Sequence, residues 1–376
     1  MVNPELFIKT LLNNGIDFFT GVPDSLLKNI CAYITDNIDE SNHVIAANEG
    51  NAVGLASGYH LSTGKIAMVY MQNSGEGNVI NPLLSLADDK VYGIPMLLLI
   101  GWRGEPGVYD EPQHIKQGKV TLDLLDAMQI AYNILSDNDS EVINQLNYAK
   151  DYMKLNKCPY VLIVKKGTFG EYRLKNVEET DIVLSREEAI KTVVDCLEQT
   201  DIVVSTTGMI SRELFEYRES QGQGHTNDFL TVGSMGHANQ IALGIAIQKK
   251  DRRIFCFDGD GALLMHLGGM AIIGNIAPQN YIHIVFNNGA HDSVGGQPTV
   301  GQKINLTAIA GAMGYKSIYS VFNIEELQCT LSCILGKQID GPIFINVNVK
   351  KGNRKDLGRP TITPKQNKEF FMNNLK

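Results

Sequence analysis

Short, continuously apolar runs punctuate this chain, and longer stretches with helical spacing separate them. In the first half the runs are 66–71 (IAMVYM), 96–100 (MLLLI) and Tyr160–Val164 (YVLIV). In the second they are 201–205 (DIVVS), 253–257 (RIFCF), Tyr281–Asn287 (YIHIVFN) and 342–349 (PIFINVNV). Runs this short, rich in β-branched residues and lacking polar alternation, suit strands of a parallel sheet covered on both faces. The helical patterns between them predict βαβ units. A polar stretch at 166–181 (KGTFGEYRLKNVEETD) reads as a linker. The expected fold class is therefore α/β, with two doubly wound parallel-sheet domains at 1–180 and 181–376. The polar tail at 350–376, with Pro360 and Pro364, reads as a segment that wraps the surface or closes over a site.

Composition narrows the function classes. At 376 residues and 44% hydrophobic, the chain can bury two cores of ordinary size. The formal net charge of −8 lacks the basic footprint of non-specific nucleic-acid binding, so no nucleic-acid partner is expected. It does not argue against an anionic substrate, because local cations in a pocket decide that. The six cysteines form no CxxC pair and are expected to be mostly buried, reduced thiols. Cys329 and Cys333, four apart on a predicted helix, have no further metal ligands nearby. The N-terminus has no basic start and apolar block, and no run reaches about 18 apolar residues. The chain is expected to be cytoplasmic, with no membrane partner.

Three loop patterns, for phosphate, calcium and a dinucleotide, fail on residues their mechanism requires. The segment from Gly58 to Lys65 has its glycines one residue too far apart, and Ile66 stands where Ser or Thr is needed. The segment Asp258-Gly259-Asp260-Gly261 resembles the start of a calcium loop, but Ala262 and Gly269 occupy ligand positions. As a dinucleotide fingerprint it would need Gly at 264, where Leu264 sits.

A different chemistry suits that last segment. It follows an apolar strand and opens a helix, so its glycines let backbone amides approach a phosphate. Asp260 is a hard oxygen ligand suited to Mg²⁺. After 25 further residues come Asn287-Asn288-Gly289, just past the next strand. Neighbouring parallel strands end on one edge, so a carboxylate after one strand and an amide after the next can hold one ion. Gly233-Ser234-Met235-Gly236-His237 supplies a second glycine-rich turn, and Glu49 opens a small-residue helix in the first half.

GDG, about 25 residues and then NN resembles the signature of the thiamine diphosphate-dependent enzymes. The resemblance covers nearly the whole chain, with 1–180 like the pyrimidine domain and 181–350 like the diphosphate domain. Many relatives have a third domain between these, which is missing here. The resemblance implies thiamine diphosphate and Mg²⁺ as cofactors. Asp260, Asn288 and the Ala290 carbonyl would bind the metal, and Gly259 and Gly261 would border the diphosphate. Met235 would prop the cofactor, flanked by Ser234 and by the Gly233 carbonyl, which would accept from the pyrimidine amino group. Glu49 would bond the pyrimidine N1′ and help remove the thiazolium C2 proton. Asp24, His114 and His291 are candidate proton-relay groups. The two-domain length and the strings at 21–25, 73–78, 101–104, 111–114 and 293–299 narrow the likeness to decarboxylases of a 2-oxo acid bearing a phosphonate, or alternatively a sulfonate, with another thiamine diphosphate-dependent 2-oxo acid enzyme as the remaining alternative. Ser25, Arg103, Gln297 and Arg359 are then substrate candidates, with His114 and Lys116 as further possible cations facing the anion. The same resemblance implies a homodimer or higher homo-oligomer.

Overall fold

A computed structural model of the chain describes residues 1–176, 180–336 and 340–375. Residues 177–179 of the expected linker and Lys376 of the expected tail lie outside the described residues. The chain divides into two compact units, Met1–Glu178 with Val294–Gln297, and Glu179–Ser293 with Pro298–Lys376.

The first unit carries strands β1 (Phe18–Gly21), β2 (His43–Ile45), β3 (Ala67–Gln72), β4 (Met96–Gly101), β5 (Ala131–Ile134) and β6 (Tyr160–Val164). They form one parallel sheet in the order β2-β1-β3-β4-β6-β5. The second unit carries β7 (Ile202–Ser205), β8 (Asp228–Leu230), β9 (Ile254–Gly259), β10 (Tyr281–Asn287), β11 (Ser317–Val321) and β12 (Ile343–Asn348). Their order is β11-β12-β10-β9-β7-β8, again all parallel. Each order reverses near its first strand, between β1 and β3 and between β7 and β9, and a second time at the far edge, where β5 lies outside β6 and β11 outside β12.

Alternation of side chains across a strand explains the apolar runs. On β4, Leu97 and Leu99 join one core cluster while Met96, Leu98 and Ile100 join another on the opposite face. On β9, Phe255 and Phe257 face one core, and Ile254 and Cys256 the other. Both faces are covered, so no position on these strands is left for a solvated residue. Each such side chain contributes about 1.5–3 kcal/mol when fully buried.

The strands that the apolar pattern does not announce are the four sheet edges, β2, β5, β8 and β11, and the four-residue β1. Edge strands pack on one side only. His43–Ile45 and Ala131–Ile134 accordingly contain no fully buried residue. The cysteines depart from expectation: only Cys31 and Cys256 are buried, while Cys196, Cys329 and Cys333 are exposed. The last two sit on the helix Ile324–Leu335, on its solvent side, which the apolar flanks did not reveal.

The tail is built into the second unit. Thr363 caps the helix Pro364–Asn374 in a reciprocal box with Gln366, and Phe371 enters the core. Asn367 lies buried against edge strand β8, donating to the Asp228 carbonyl (2.8 Å) and accepting from the Leu230 amide (3.0 Å). One side-chain amide thus takes the place of a neighbouring strand, one way of blunting an exposed edge. Replacing Asn367 with Ala leaves two buried backbone groups without partners. Loss of about 2–4 kcal/mol is expected, read as a lower urea midpoint with faster exchange at the Leu230 amide. An unchanged midpoint would mean that water replaces the amide at no cost.

Candidate active site

In an open parallel sheet, side chains that follow the strands collect beyond their carboxyl ends, and ligands favour the point where the order reverses. In the first unit, Glu49 follows β2, Asp24 follows β1, Asn73–Gly75 and Glu76 follow β3, and Arg103 follows β4. All four strands are neighbours.

Glu49 is the first residue of the helix Glu49–Thr63, whose cap Asn48 accepts from the Asn51 amide (2.9 Å). It is buried, and Asn78 donates to its Oε2 (2.7 Å). Gly75 packs directly on it; a Cβ there would come within 2.5 Å of the Glu49 carboxylate. Asp24 is buried beside Gly101, where a side chain would collide with its Oδ2. Burial pushes its pKa up to about 6, against the Leu26 amide and the Arg103 charge, which lower it. Arg103 grips Asp110 with Nε (2.7 Å) and Nη2 (2.5 Å), and its Nη1 donates to Ser25 (2.7 Å). Its charge is therefore already matched within the chain. His114 is buried with Nδ1 lacking a partner, and burial plus Arg103 lower its pKa, so it is neutral near pH 7. Gln297 is fully buried, with neither amide atom hydrogen-bonded. Lys116 and Arg359 are exposed.

In the second unit, Met235 follows β8, Asp260 follows β9 and Asn288 follows β10. Gly233, Ser234 and Gly236 all have positive φ, so the turn around half-buried Met235 is tightly coiled. The two acids of the DGDG segment point to different places. Asp258 is wholly buried and ties down the loop through the Gly259 amide (3.0 Å), Asn239 (3.3 Å) and His283 (3.4 Å). Asp260 accepts from the Thr299 hydroxyl and the Asn288 backbone amide. Burial pushes its pKa to about 6, and nearby Asp292 adds to the rise. Gly301 leaves room for it; a Cβ there would lie 2.5 Å from its Oδ2. Asn287 turns to the Gly301 carbonyl (2.8 Å) and the Gly289 amide (3.2 Å). Asn288 accepts from the Ala290 amide at Oδ1 (3.0 Å) and donates to Asp292 (2.6 Å). His291 packs over Gly261, and burial lowers its pKa to about 4.

A buried carboxylate whose ionisation is opposed by burial and by a second acid is a place where a divalent cation relieves both. With the Asn288 amide and the Ala290 carbonyl beside it in sequence, the donor set is all hard oxygen, which fits Mg²⁺. Glu49, buried among neutral groups, fits a partner that shares a proton with it.

Residues 3–129 match the family described as thiamine pyrophosphate enzyme, N-terminal TPP binding domain, and residues 206–347 the corresponding C-terminal TPP binding domain. The chain is 31% identical to phosphonopyruvate decarboxylase of Streptomyces viridochromogenes, across 97% of this chain and 92% of that one. It is 30% identical to the enzyme of the same name from Streptomyces hygroscopicus, with the same coverage. The chain belongs to the thiamine diphosphate-dependent decarboxylases. It is also 28% identical to sulfopyruvate decarboxylase of Methanosarcina acetivorans, over 98% of this chain and 97% of that one. As a carboxy-lyase of this family it has the expected two-unit α/β fold. Among the described residues no helix is long and apolar enough to cross a membrane.

Several rim residues of this decarboxylase carry no signal in the sequence. Asp110, which neutralises Arg103, and Asp292, which holds Asn288, are ordinary acids until the fold brings them to their partners. Glu76 is another. It is buried with Oε1 unpartnered, and burial pushes its pKa to about 8, against the nearby Thr121 hydroxyl. Thr121 accepts from Asn73 (2.9 Å), which also bonds the Arg103 carbonyl (2.8 Å) and amide (3.1 Å). Glu76 thus abuts a network that ends at the Arg103 loop. Its folded pKa lies above the unfolded value of 4.5. Its contribution to stability is therefore full below about pH 4.5 and is lost as pH rises through about 8. Glu76→Gln, neutral at every pH, is expected to melt closer to wild type at pH 5 and above it at pH 9. Parallel melting curves against pH in the two proteins would show that Glu76 is ionised in the folded chain.

Proposed function

We propose that this protein decarboxylates 3-phosphonopyruvate to phosphonoacetaldehyde and CO₂, with thiamine diphosphate and Mg²⁺. The observation that carries the reading is likeness over nearly the full length to two proteins named phosphonopyruvate decarboxylase, joined to Glu49 at the rim of one sheet and Asp260 and Asn288 at the rim of the other. Asp260, Asn288 and the Ala290 carbonyl hold the Mg²⁺. Gly259 and Gly261 allow the diphosphate to approach the backbone. Gly233, Ser234 and Met235 support the pyrimidine end, and Glu49 holds and shares a proton at N1′. When bound, the cofactor supplies the electron sink that lets the bond from the carboxyl carbon to the keto carbon break. Asp24, His114 and His291 are the groups for delivering the replacement proton. The chain acts as a homodimer or larger homo-oligomer.

The phosphonate carries up to two negative charges close to the carbon that gains electron density, so donors must face it. Ser25, Arg103, Gln297 and Arg359 are assigned to that task. Gln297 and His114 support the assignment, because buried polar atoms without partners are uncommon and suit a ligand. A second reading, sulfopyruvate as substrate, draws support from the likeness to the Methanosarcina acetivorans protein and from the pairing of Arg103 with Asp110. A guanidinium already matched by a carboxylate favours a monoanion over a dianion.

The deciding measurement is kcat/KM for phosphonopyruvate, sulfopyruvate and pyruvate, with and without added thiamine diphosphate and Mg²⁺. Phosphonopyruvate is expected to lead and pyruvate to trail, since missing anionic oxygens leave buried donors unpaired. CO₂ release is expected only with both additions. Preference for sulfopyruvate would overturn the substrate, and full activity after exhaustive chelation would overturn the metal. Glu49→Gln is expected to lower kcat about 10²–10⁴-fold with little change in cofactor affinity by fluorescence titration. Unchanged hydrogen–deuterium exchange at C2 of the bound cofactor would remove Glu49 from the proton-sharing role.

A further inference from the structure

A run of ionic contacts in the second unit ends on the Asn288 side chain. Arg186, the first residue of the helix Arg186–Asp195, is 5% exposed and pairs two-pronged with buried Glu213, Nε to Oε2 at 2.8 Å and Nη2 to Oε1 at 2.9 Å. Its Nη1 reaches Asp292 Oδ2 at 3.2 Å. That same oxygen accepts from Asn288 Nδ2 (2.6 Å) and from the Gly352 amide (3.0 Å). Burial alone would depress the Arg186 pKa, but Glu213 and Asp292 hold it above the ordinary value.

A carboxylate can only accept. Whatever faces Asp292 must therefore be the NH₂ end of the Asn288 amide, which turns Oδ1 to the other side, where the Ala290 amide donates to it. We infer that Asp292, anchored by the Arg186–Glu213 pair, is a positioning residue that fixes the Asn288 amide with its oxygen presented as a divalent-cation donor. Without Asp292 only the Ala290 amide still selects the orientation, and in the flipped one the side chain offers hydrogens to a cation. Arg186 also keeps the two acids from repelling each other within one buried cluster. The inference rests on the magnesium reading above.

The test uses the full chain with thiamine diphosphate present and Mn²⁺ as the probe, bound Mn²⁺ being counted by electron paramagnetic resonance. Asp292→Asn is expected to weaken Mn²⁺ binding about 10–100-fold, the usual effect of removing a group that orients a metal ligand. At saturating metal its kcat returns towards the wild-type value, which a general loss of structure would not allow. Asp292→Ser, smaller and also uncharged, is measured alongside in case the asparagine disturbs Arg186, and thermal melting confirms that the variants fold. Glu187→Gln, which loosens a more exposed contact of Arg354, is expected to leave Mn²⁺ affinity unchanged. Wild-type Mn²⁺ affinity in a folded Asp292 variant, or an equal loss in Glu187→Gln, overturns the inference and leaves the magnesium reading intact. A wild-type protein that takes up no Mn²⁺ overturns both.

Discussion

A parallel sheet covered on both faces leaves a chain very little choice about where to keep its polar side chains. Apart from the last residues of the strands and from His283, which bonds Asp258 inside the sheet, every position on β3, β4, β9 and β10 is committed to one core or the other. Within each sheet, polar groups therefore concentrate in the segments just past the carboxyl ends, which lie on one edge of that sheet because its strands all run the same way. Glu49, Asp24, Glu76 and Arg103 on one sheet, and Met235, Asp260 and Asn288 on the other, owe their grouping to this constraint. The chemistry of the protein follows from strand direction before it follows from any particular residue.

At the rim of each sheet, burial sets the electrostatics. Asp24, Glu76 and Asp260 are each driven towards the neutral form by lost hydration, and each is met by a different local response. Asp24 has a backbone amide and the charge of Arg103. Glu76 has an uncharged neighbourhood that suits a protonated acid. Asp260 has a hydroxyl and an amide, which leaves room for a cation. Three carboxyl groups of similar burial are thereby suited to different tasks, without any change in the side chain's own chemistry.

The sequence made some of this legible and concealed the rest for physical reasons. The central strands were readable because two-sided burial writes an uninterrupted apolar run. The edges β2, β5, β8 and β11 were not, because each is only three to five residues long and is interrupted by polar or half-buried positions. The GDG and NN segments were readable because glycine and paired asparagines at fixed spacing are rare outside such a use. What each asparagine does was not: Asn287 braces the loop and Asn288 faces Asp292, and only the three-dimensional arrangement separates them. Arg103 was readable as a cation near the rim. Its pairing with Asp110, which changes the charge a substrate would meet, was not, since nothing in the string marks an acid seven residues on as its partner.

The seal on β8 has a consequence in time. Asn367 closes a strand edge formed by residues 137 positions earlier in the chain. At ribosomal speeds of about 5–20 residues per second, roughly 7–27 s pass between synthesis of that edge and synthesis of the side chain that covers it. For that interval the nascent second unit presents unpaired amides and carbonyls to whatever is near, including the same edge on a neighbouring nascent chain. Slower translation between these points lengthens the exposure, so the rate at which the message is read becomes part of what determines how much of the protein folds correctly.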